Sequence, residues 1–477
     1  MLLRLLLLAF FSVSSVNAQN LPELGDASEA TLSAERERAL GETIMRDIRK
    51  EVTLLEDTEI SDYLNKLGAT LMTSGRDRGQ RVEFFVIKDP SLNAFALPGG
   101  FIGVHTGLIL AAQSESELVA VLAHEIAHIT QRHLARMISR SKEALLPSLA
   151  ALAVAILAAR SNPQLASAAI ATAQATSIQS QLDFSREHER EADRVGLTLM
   201  DAAGYDPRAM PTFFERFQRA GRVYDSAAPS YLRTHPITTE RVADVLNRVE
   251  NLRYRQVLDS ADFQLIKAKT RALEDTPSAA IDFFTVGLRD KKYSSEAAYR
   301  YGLAWAYLLS KNADLAEQQL SEVRQRHAAH PLLYTLAGEI KLRRGDLTAA
   351  KMEFQKGLKL FPQHRALVYG YAQALIDSNN ARDALAVINE SLTRGVPDAK
   401  LYELQANAHT RLGVPLLAHQ ALAEAYAVRG NFPAAIEQLE LAKKNSRGNF
   451  YQLSSVEARL RELRRLEDDA KRAKKPE

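Results

Sequence analysis

The sequence predicts an α+β domain, mostly helical with a small sheet, followed by an all-α solenoid. Three observations support this prediction. Short β-rich runs precede a long amphipathic helix, apolar residues recur at helical spacing over most of the chain, and small residues repeat with a period of 34 in its second half. At 477 residues the chain is long enough for two or three domains.

The chain begins with a segment typical of a secretory signal. Arg4 gives a short positive region, residues 5–11 form an apolar core, and residues 16–18 form a small-residue cleavage site. The apolar run is shorter than the roughly 20 residues that a membrane-spanning helix needs. We therefore expect residues 1–18 to direct export and to be removed.

Composition excludes several classes of protein. The net charge of +3, without a basic patch, argues against binding to nucleic acid. The chain has no cysteine, which excludes disulfides, thiolate metal ligands and a lipoprotein anchor. After the signal, no run of about 18 uninterrupted apolar residues occurs, which argues against an integral membrane protein.

The next elements follow from periodicity. Residues 28–71 have the pattern of amphipathic helix, with an interruption near Thr53. Residues 82–87 are rich in β-formers, and strand-like runs at 93–97 and 101–104 flank a Pro-Gly-Gly turn. The sequence thus predicts a small sheet directly before the long helix.

The run that begins at Asn93 is our candidate edge strand. An extended peptide can pair with an exposed strand edge through main-chain hydrogen bonds. We therefore expect Asn93 and Ala94, in the strand 93–96, to contact substrate. The alternative is a hairpin with a purely structural role.

The long helix carries a motif typical of zinc peptidases. Ser114 and Glu117 fit a capping box at its start. His124 and His128 are four residues apart and so face the same side of a helix, where both imidazoles can reach one ion. Glu125 lies about 100° further round, where it can act as general base on a zinc-activated water. The alternative is an ordinary amphipathic helix with two stray histidines. Its apolar face comprises Leu118, Val121, Leu122, Ile126 and Ile129.

A catalytic zinc site usually needs a third protein ligand. The acidic cluster on a second predicted helix is the best source, because Glu189 and Asp193 share one face. Glu189 could bind the ion while Asp193 orients a ligand histidine. Glu191 and His188 are competitors that spacing does not exclude, and a solvated acidic helix is the alternative for the whole cluster.

An apolar helical pair separates the two motifs. Residues 145–159 are strongly apolar and residues 162–176 are rich in alanine. We interpret them as an inserted helical hairpin that forms core, covers the cleft or contacts a membrane surface peripherally.

The second half of the chain repeats every 34 residues, the period of tetratricopeptide helix pairs. Small residues let the two helices of a pair approach closely, and a large apolar residue fills the gap between neighbouring pairs. The three series are Ala304, Gly338, Ala372 and Ala406; Ala316, Ala350, Ala384 and Ala418; and Leu320, Phe354, Ile388 and Leu422. Such stacks form concave binding surfaces.

These observations predict a domain organisation. Residues 19–255 would form the metalloprotease domain, with a helical insertion at about 145–180. Residues 256–445 would form the repeat domain, and residues 446–477 a final helix with a charged tail.

Taken together, the motifs resemble a known family. The HExxH motif of 124–128, the Glu-x-x-Ala-Asp motif of 189–193 and the strand and turn of 93–100 resemble the HtpX/CAAX-prenyl-protease type of gluzincin, a zincin-like fold. With the signal and the repeats included, nearly the whole chain is similar to the periplasmic β-barrel assembly-enhancing proteases of Gram-negative bacteria. The resemblance implies one zinc ion per subunit, with Glu189 as its third ligand.

The same resemblance extends to a downstream motif at His235, Pro236 and Arg241. It implies that His235 is a fourth zinc ligand that holds the site inactive, or a group that stabilises the oxyanion. Arg241 is expected to contact substrate. The remaining histidines show no ligand spacing, and we expect them to be surface or core residues: His105, His133, His327, His330, His364, His409 and His419.

The implied function is that of a periplasmic zinc metalloendopeptidase with chaperone-like activity. It would assist the assembly of outer-membrane β-barrel proteins, degrade misfolded or stalled ones, including the lipopolysaccharide-transport porin, and dock the β-barrel assembly machinery through its repeats. The alternative is a repeat scaffold or chaperone whose metal site is silenced.

Overall fold

The computed structural model describes residues 32–51, 53–75, 80–140, 186–223, 231, 234–326, 329–444 and 450–473. The predicted signal and the predicted inserted hairpin lie outside these ranges. Within them, every helix is too short or too polar to cross a bilayer.

The first part of the chain is helical apart from one sheet. Its elements are α1 (Ala34–Glu51), α2 (Thr58–Ser74), β1 (Glu83–Ile87), β2 (Ala94–Leu97), β3 (Phe101–His105), α3 (Thr106–Ala111), α4 (Glu115–Thr130), α5 (His133–Arg140), α6 (Arg186–Ala203), α7 (Ala209–Val223) and α8 (Thr239–Glu250). The interruption predicted near Thr53 separates α1 from α2, and Asp57 caps the second helix by accepting from the Ile60 N–H at 3.0 Å.

The sheet places β2 at an edge. Its strand order is β1-β3-β2, with β3 parallel to β1 and antiparallel to β2. The predicted turn is one 3₁₀ turn, in which Gly99 and Gly100 have φ of 73° and 85°. A Cβ on Gly100 would lie 1.9 Å from the Arg81 carbonyl oxygen, so the turn requires glycine there.

Helix α4 is buried along almost its whole length. Ser114 caps it by accepting from the Glu117 N–H at 3.2 Å. The Glu117 carboxylate accepts from the Gln113 N–H at 2.6 Å, one residue before the position that a capping box predicts. The physical reason is Arg216, whose guanidinium lies 2.6 Å from the same carboxylate and holds it away from the cap.

The second part is a stack of helix pairs, as the repeats predict. Its helices are α9 (Ala261–Glu274), α10 (Pro277–Arg289), α11 (Glu296–Leu309), α12 (Ala313–Arg326), α13 (Pro331–Arg343), α14 (Leu347–Leu360), α15 (Arg365–Asp377), α16 (Ala381–Arg394), α17 (Ala399–Arg411), α18 (Pro415–Val428), α19 (Phe432–Lys444) and α20 (Phe450–Ala473). All members of the three small and apolar series are buried except the partly exposed Leu422. The fold class predicted from the sequence is therefore confirmed.

The repeats pack against the first part. Phe263 and Ile266 of α9 belong to the same buried cluster as Leu64 of α2 and Leu118 of α4. Polar contacts between the two parts include Lys269 with Asp57 and Glu59, Arg365 with Asp62, Lys66 with Asp262, and the Arg49 guanidinium with the Arg429 carbonyl. The two parts thus share one apolar core and several charged contacts.

One repeat requires glycine at the small position. A Cβ on Gly338 would lie 2.3 Å from the Phe354 ring, whereas the neighbouring repeats pair alanine with Leu320 or Ile388. We expect Gly338→Ala to lower the free energy of unfolding by about 1–3 kcal/mol through overpacking. The urea midpoint measures this loss, and adding Phe354→Leu should restore most of it. An unchanged midpoint in the single variant would contradict the packing argument.

Candidate metal centre

Helix α4 presents two imidazoles to one point. His124 and His128 are both buried, with their Nε2 atoms 3.0 Å apart. This closeness follows from their spacing, since residues i and i+4 lie one above the other on a helix. The pair forms one side of the candidate site.

Helix α6 and the segment before α8 complete the cluster. The Glu189 carboxylate lies 3.3 Å from His128 Nε2 and 3.4 Å from His124 Nε2. His235 Nδ1 lies 3.0 Å from the Glu189 carboxylate and 3.3 Å from His124 Nε2. One ligand atom from each of these residues falls within 4.8 Å of every other. The structure thus brings together all four side chains that the sequence analysis proposed as ligands.

Most of the contacts in this cluster are close to the spacing of ligands around a tetrahedral ion. Nitrogen and oxygen ligands 2.0–2.1 Å from zinc stand at the corners of a tetrahedron with edges of about 3.3 Å. Five contacts among the four side chains are 3.0–3.4 Å long, one of them to the second Glu189 oxygen, and the four ligand atoms all lie within 4.8 Å of one another. Imidazole nitrogen with carboxylate oxygen is also a donor set that zinc accepts. The residues therefore fit the ion that the motif implies.

The charge around the cluster favours a cation. Burial opposes the imidazolium of His124, but hydrogen bonds to Asp193 and Glu189 outweigh it and raise the pKa of His124 to about 10. Burial likewise opposes the charged Glu189, yet the His235 charge and three imidazole contacts hold the pKa of Glu189 well below its usual range. Burial lowers the pKa of His128, which keeps that imidazole neutral. A carboxylate facing neutral imidazole nitrogen is suited to binding a metal ion in place of a proton.

Glu125 stands beside the cluster rather than in it. Its Oε1 lies 3.5 Å from His235 Nε2, the Ala96 N–H lies near the carboxylate, and among the described residues no side chain forms a hydrogen bond with either oxygen. Burial raises the pKa of Glu125, against the opposing effects of the His235 and His124 charges and the Ala96 N–H dipole. A buried carboxylate with open lone pairs can take a proton from a reacting group.

Asp193 lies behind His124, where the sequence predicted an orienting group. Its Oδ1 is 2.9 Å from His124 Nδ1, and because a carboxylate can only accept, that nitrogen carries the hydrogen. A metal ion would then take the place of the second proton, which the raised pKa of His124 keeps on Nε2 facing the cluster. Such support fixes both the tautomer and the orientation of a ligand histidine.

Arg241 is buried beside the ligand cluster and contacts two of its carboxylates. Its guanidinium donates to both Asp193 oxygens at 2.7 and 2.8 Å and forms an ion pair with Glu189 at 2.7 Å. The first turn of α8, capped by Thr238, buries Arg241 against α6. Arg241 thus holds the two carboxylates in place, and its contact with substrate stays a prediction.

The predicted substrate strand lies next to the base. β2 contributes the Ala96 N–H near Glu125, while Ala94 and Asn93 are buried. The Asn93 carbonyl accepts from the His105 N–H at 3.0 Å. Substrate contact by Asn93 and Ala94 stays a prediction, and it would use the main chain of β2.

The two competing ligands lie outside the cluster. Glu191 contacts His133 Nε2 at 3.1 Å and Arg136 at 2.9 Å. His188 stacks on His133, with ring centroids 4.5 Å apart. His133, which the sequence analysis left among surface or core histidines, is buried with Nδ1 2.9 Å from His128 Nδ1.

One aromatic neighbour of the cluster was not predicted from the sequence. Tyr231 is buried and stacks on His235, with ring centroids 4.9 Å apart and an interplanar angle of 30°. Its N–H donates to the Leu92 carbonyl just before β2. The usable signal was spacing, since Tyr231 precedes His235 by four residues and its carbonyl accepts from the His235 N–H at 2.8 Å.

Loss of the Asp193 charge should weaken metal binding. We expect Asp193→Asn to lower zinc affinity about 10–100-fold, because the amide supports His124 without a negative charge. Competition with a chromogenic chelator measures the affinity. Asp201→Asn, at the exposed end of the same helix, is the matched control. Equal affinities for the two variants would contradict the orienting role.

Comparison with known proteins agrees with these features. Residues 57–249 match peptidase family M48, and residues 341–408 match a tetratricopeptide repeat family. The chain is 32% identical over 419 residues to the putative beta-barrel assembly-enhancing protease of Vibrio cholerae, covering 87% of this chain and 86% of that one. It is 30% identical over 460 residues to the beta-barrel assembly-enhancing protease of Escherichia coli K12, covering 95% and 93%. The mitochondrial metalloendopeptidase OMA1 of Arabidopsis thaliana is 33% identical over 220 residues, covering 46% and 42%.

Proposed function

This chain belongs to the family of beta-barrel assembly-enhancing proteases, and we propose that it is a periplasmic zinc metalloendopeptidase with chaperone-like activity. Its substrates would be misfolded or stalled outer-membrane β-barrel proteins, including the lipopolysaccharide-transport porin. Export would depend on the predicted signal at residues 1–18. The match to peptidase family M48 and the buried ligand cluster support the protease assignment.

One observation supports the enzymatic proposal most strongly. Three imidazoles and the Glu189 carboxylate converge within 4.8 Å, with the Glu125 carboxylate directly beside them. A repeat scaffold with a degenerate site would not need a complete set of ligands and a base. The arrangement therefore favours a protease over a scaffold alone.

The chemistry divides between the ion and the chain. Zinc, when bound, supplies Lewis-acid activation of water and of a peptide carbonyl. Glu125 takes a proton from the attacking water and returns it to the leaving amine. The open lone pairs of the buried Glu125 carboxylate suit both transfers.

The contacts of His235 support two proposed roles. Its Nδ1 faces the ligand cluster, and its Nε2 faces Glu125 at 3.5 Å. As a fourth ligand it would keep the site closed, in agreement with the near-complete burial of every residue in the cluster. Once displaced from the ion, it would stay close enough to donate to the developing oxyanion.

The repeats would supply recognition. Stacked helix pairs form extended surfaces that bind protein partners. We propose that the helix pairs that do not pack against the first part of the chain bind the β-barrel assembly machinery. The chain would then stand where unfolded outer-membrane proteins arrive.

The experiment uses the mature chain with zinc and the unfolded lipopolysaccharide-transport porin. We expect slow cleavage by the wild type and cleavage about tenfold faster or more by His235→Ala, which equals 1.4 kcal/mol of activation free energy. His409→Ala, in a repeat helix, is the matched control. Loss of cleavage in His235→Ala would favour the oxyanion role over the gate. If no variant cleaves any unfolded substrate with zinc bound, the protease proposal fails.

A further inference from the structure

A second series of hydrogen-bonded side chains begins at His128, the other ligand histidine of α4. Helix α4 ends at Thr130, and Arg132 takes a left-handed conformation with φ of 50°. This turn starts α5 directly beneath α4 and places the buried His133 against His128. Their Nδ1 atoms are 2.9 Å apart.

This series of hydrogen bonds continues to the protein surface through Glu191 of α6. His133 Nε2 lies 3.1 Å from Glu191 Oε2, and the Arg136 guanidinium donates to the same oxygen at 2.9 Å. The His133 side chain is fully buried, while that of Glu191 is 26% exposed. Hydrogen bonds thus link His128 in the ligand cluster, through the buried His133, to Glu191 at the protein surface.

The direction of each hydrogen bond follows from the far end. The Glu191 carboxylate can only accept, so His133 carries its hydrogen on Nε2. A neutral imidazole then accepts at Nδ1, which makes His128 the donor at its own Nδ1. The Nε2 of His128 is therefore left with a lone pair, on the side where Glu189 and His124 converge.

We propose that His133 is a positioning residue that fixes the tautomer and ring orientation of His128 for metal binding, with Glu191 fixing His133 in turn. The inference rests on the metal site proposed above. It assigns to His128 the kind of support that Asp193 gives His124, with an imidazole placed between the ligand and the carboxylate.

Charge explains why the two supports differ. Behind His124 the buried carboxylate of Asp193 is neutralised by Arg241, which also pairs with Glu189. A further carboxylate directly behind His128 would be buried without a second such cation, and this is costly. The imidazole of His133 moves the negative charge outward to Glu191, where Arg136 and solvent compensate it.

The simpler alternative is a core histidine whose contacts only fill space. His188, stacked on His133 at 4.5 Å, is consistent with that alternative as well. The two accounts predict different behaviour for substitutions that keep the packing and change the hydrogen bonds.

The test measures zinc affinity by chelator competition and the visible spectrum of cobalt(II) in place of zinc. We expect His133→Phe to lower zinc affinity about 10–100-fold and to alter the cobalt spectrum. His133→Asn, whose amide oxygen can replace Nδ1 as acceptor, should recover most of the affinity. Glu187→Ala, exposed on the same helix as Glu191, is the control and should bind zinc like the wild type.

Three results would contradict the positioning role of His133: wild-type zinc affinity in His133→Phe, no recovery of affinity in His133→Asn, or an equal loss of affinity in Glu187→Ala. Should His133→Phe not fold, Glu191→Ala at the surface replaces it, with reduced zinc affinity expected. Nitrogen-15 NMR spectra of histidine in the zinc-loaded wild type identify the tautomers directly, and a proton on His133 Nδ1 would also contradict the positioning role of His133. A wild type that binds no zinc would contradict the proposed function. If only the positioning role of His133 is contradicted, the proposed function is unaffected.

Discussion

Replacing Glu125 with Gln is expected to lower kcat/KM for an unfolded protein substrate by about 10²–10⁴-fold, the usual contribution of a positioned general base. The amide has the shape of the carboxylate but cannot take the proton. Because Glu125 lies beside the cluster and not within it, zinc content should be unchanged. The rate is measured with a fluorescently labelled unfolded β-barrel protein under conditions of excess substrate.

Glu56→Gln, on the surface before α2, is the matched control and should cleave at the wild-type rate. Chaperone-like assistance, measured as the yield of folded β-barrel protein, should persist in Glu125→Gln. Zinc-dependent cleavage at the wild-type rate in this variant would show that Glu125 is not the base.

Replacing Lys269 with Met is expected to produce the largest loss of stability. The Lys269 Nζ lies 2.6 Å from the carboxylates of both Asp57 and Glu59, and its side chain is only 4% exposed. Removing the cation leaves two carboxylates buried between the repeats and the first part. Breaking a buried pair in this way costs about 3–5 kcal/mol.

Urea unfolding followed by circular dichroism measures this loss. Lys66→Met removes a cation at the same junction, but that side chain is 69% exposed, so its pair with Asp262 contributes about 1 kcal/mol or less. Equal losses in the two variants would contradict the importance of burial at Lys269.

The contribution of Lys269 also has a defined pH dependence. Burial disfavours the ammonium, but Glu59 and Asp57 outweigh it and raise the pKa of Lys269 above its usual value. A group whose pKa is raised by folding contributes fully below its unfolded pKa of about 10.4, and the contribution is lost as pH rises through the folded pKa. The stability difference between wild type and Lys269→Met should therefore be constant from neutral pH to about pH 10.

Local patterns predicted much of this molecule. The pairing of His124 with His128 needs only helix geometry, and the repeats reveal themselves by a fixed period. Spacing alone left Glu189, Glu191 and His188 as competing ligands. Their separation depends on how α6 packs, with Glu189 facing α4 and Glu191 facing α5.

The contacts of Arg241 and His133 could not be predicted from local sequence patterns. Arg241 reaches Asp193 because α8 packs on α6, and a motif cannot show which group meets a guanidinium across that interface. His133 reaches His128 because a left-handed Arg132 folds α5 back under α4. Arginine rarely adopts this conformation, so its sequence gave no signal of the turn.

Metal analysis of the purified chain, combined with anomalous X-ray scattering at the zinc edge, tests the central claim most directly. We expect one zinc ion per chain, bonded to His124, His128 and Glu189, with His235 as the fourth ligand in the closed state. Chains without stoichiometric metal, or an ion bound away from Glu189, would contradict the claim.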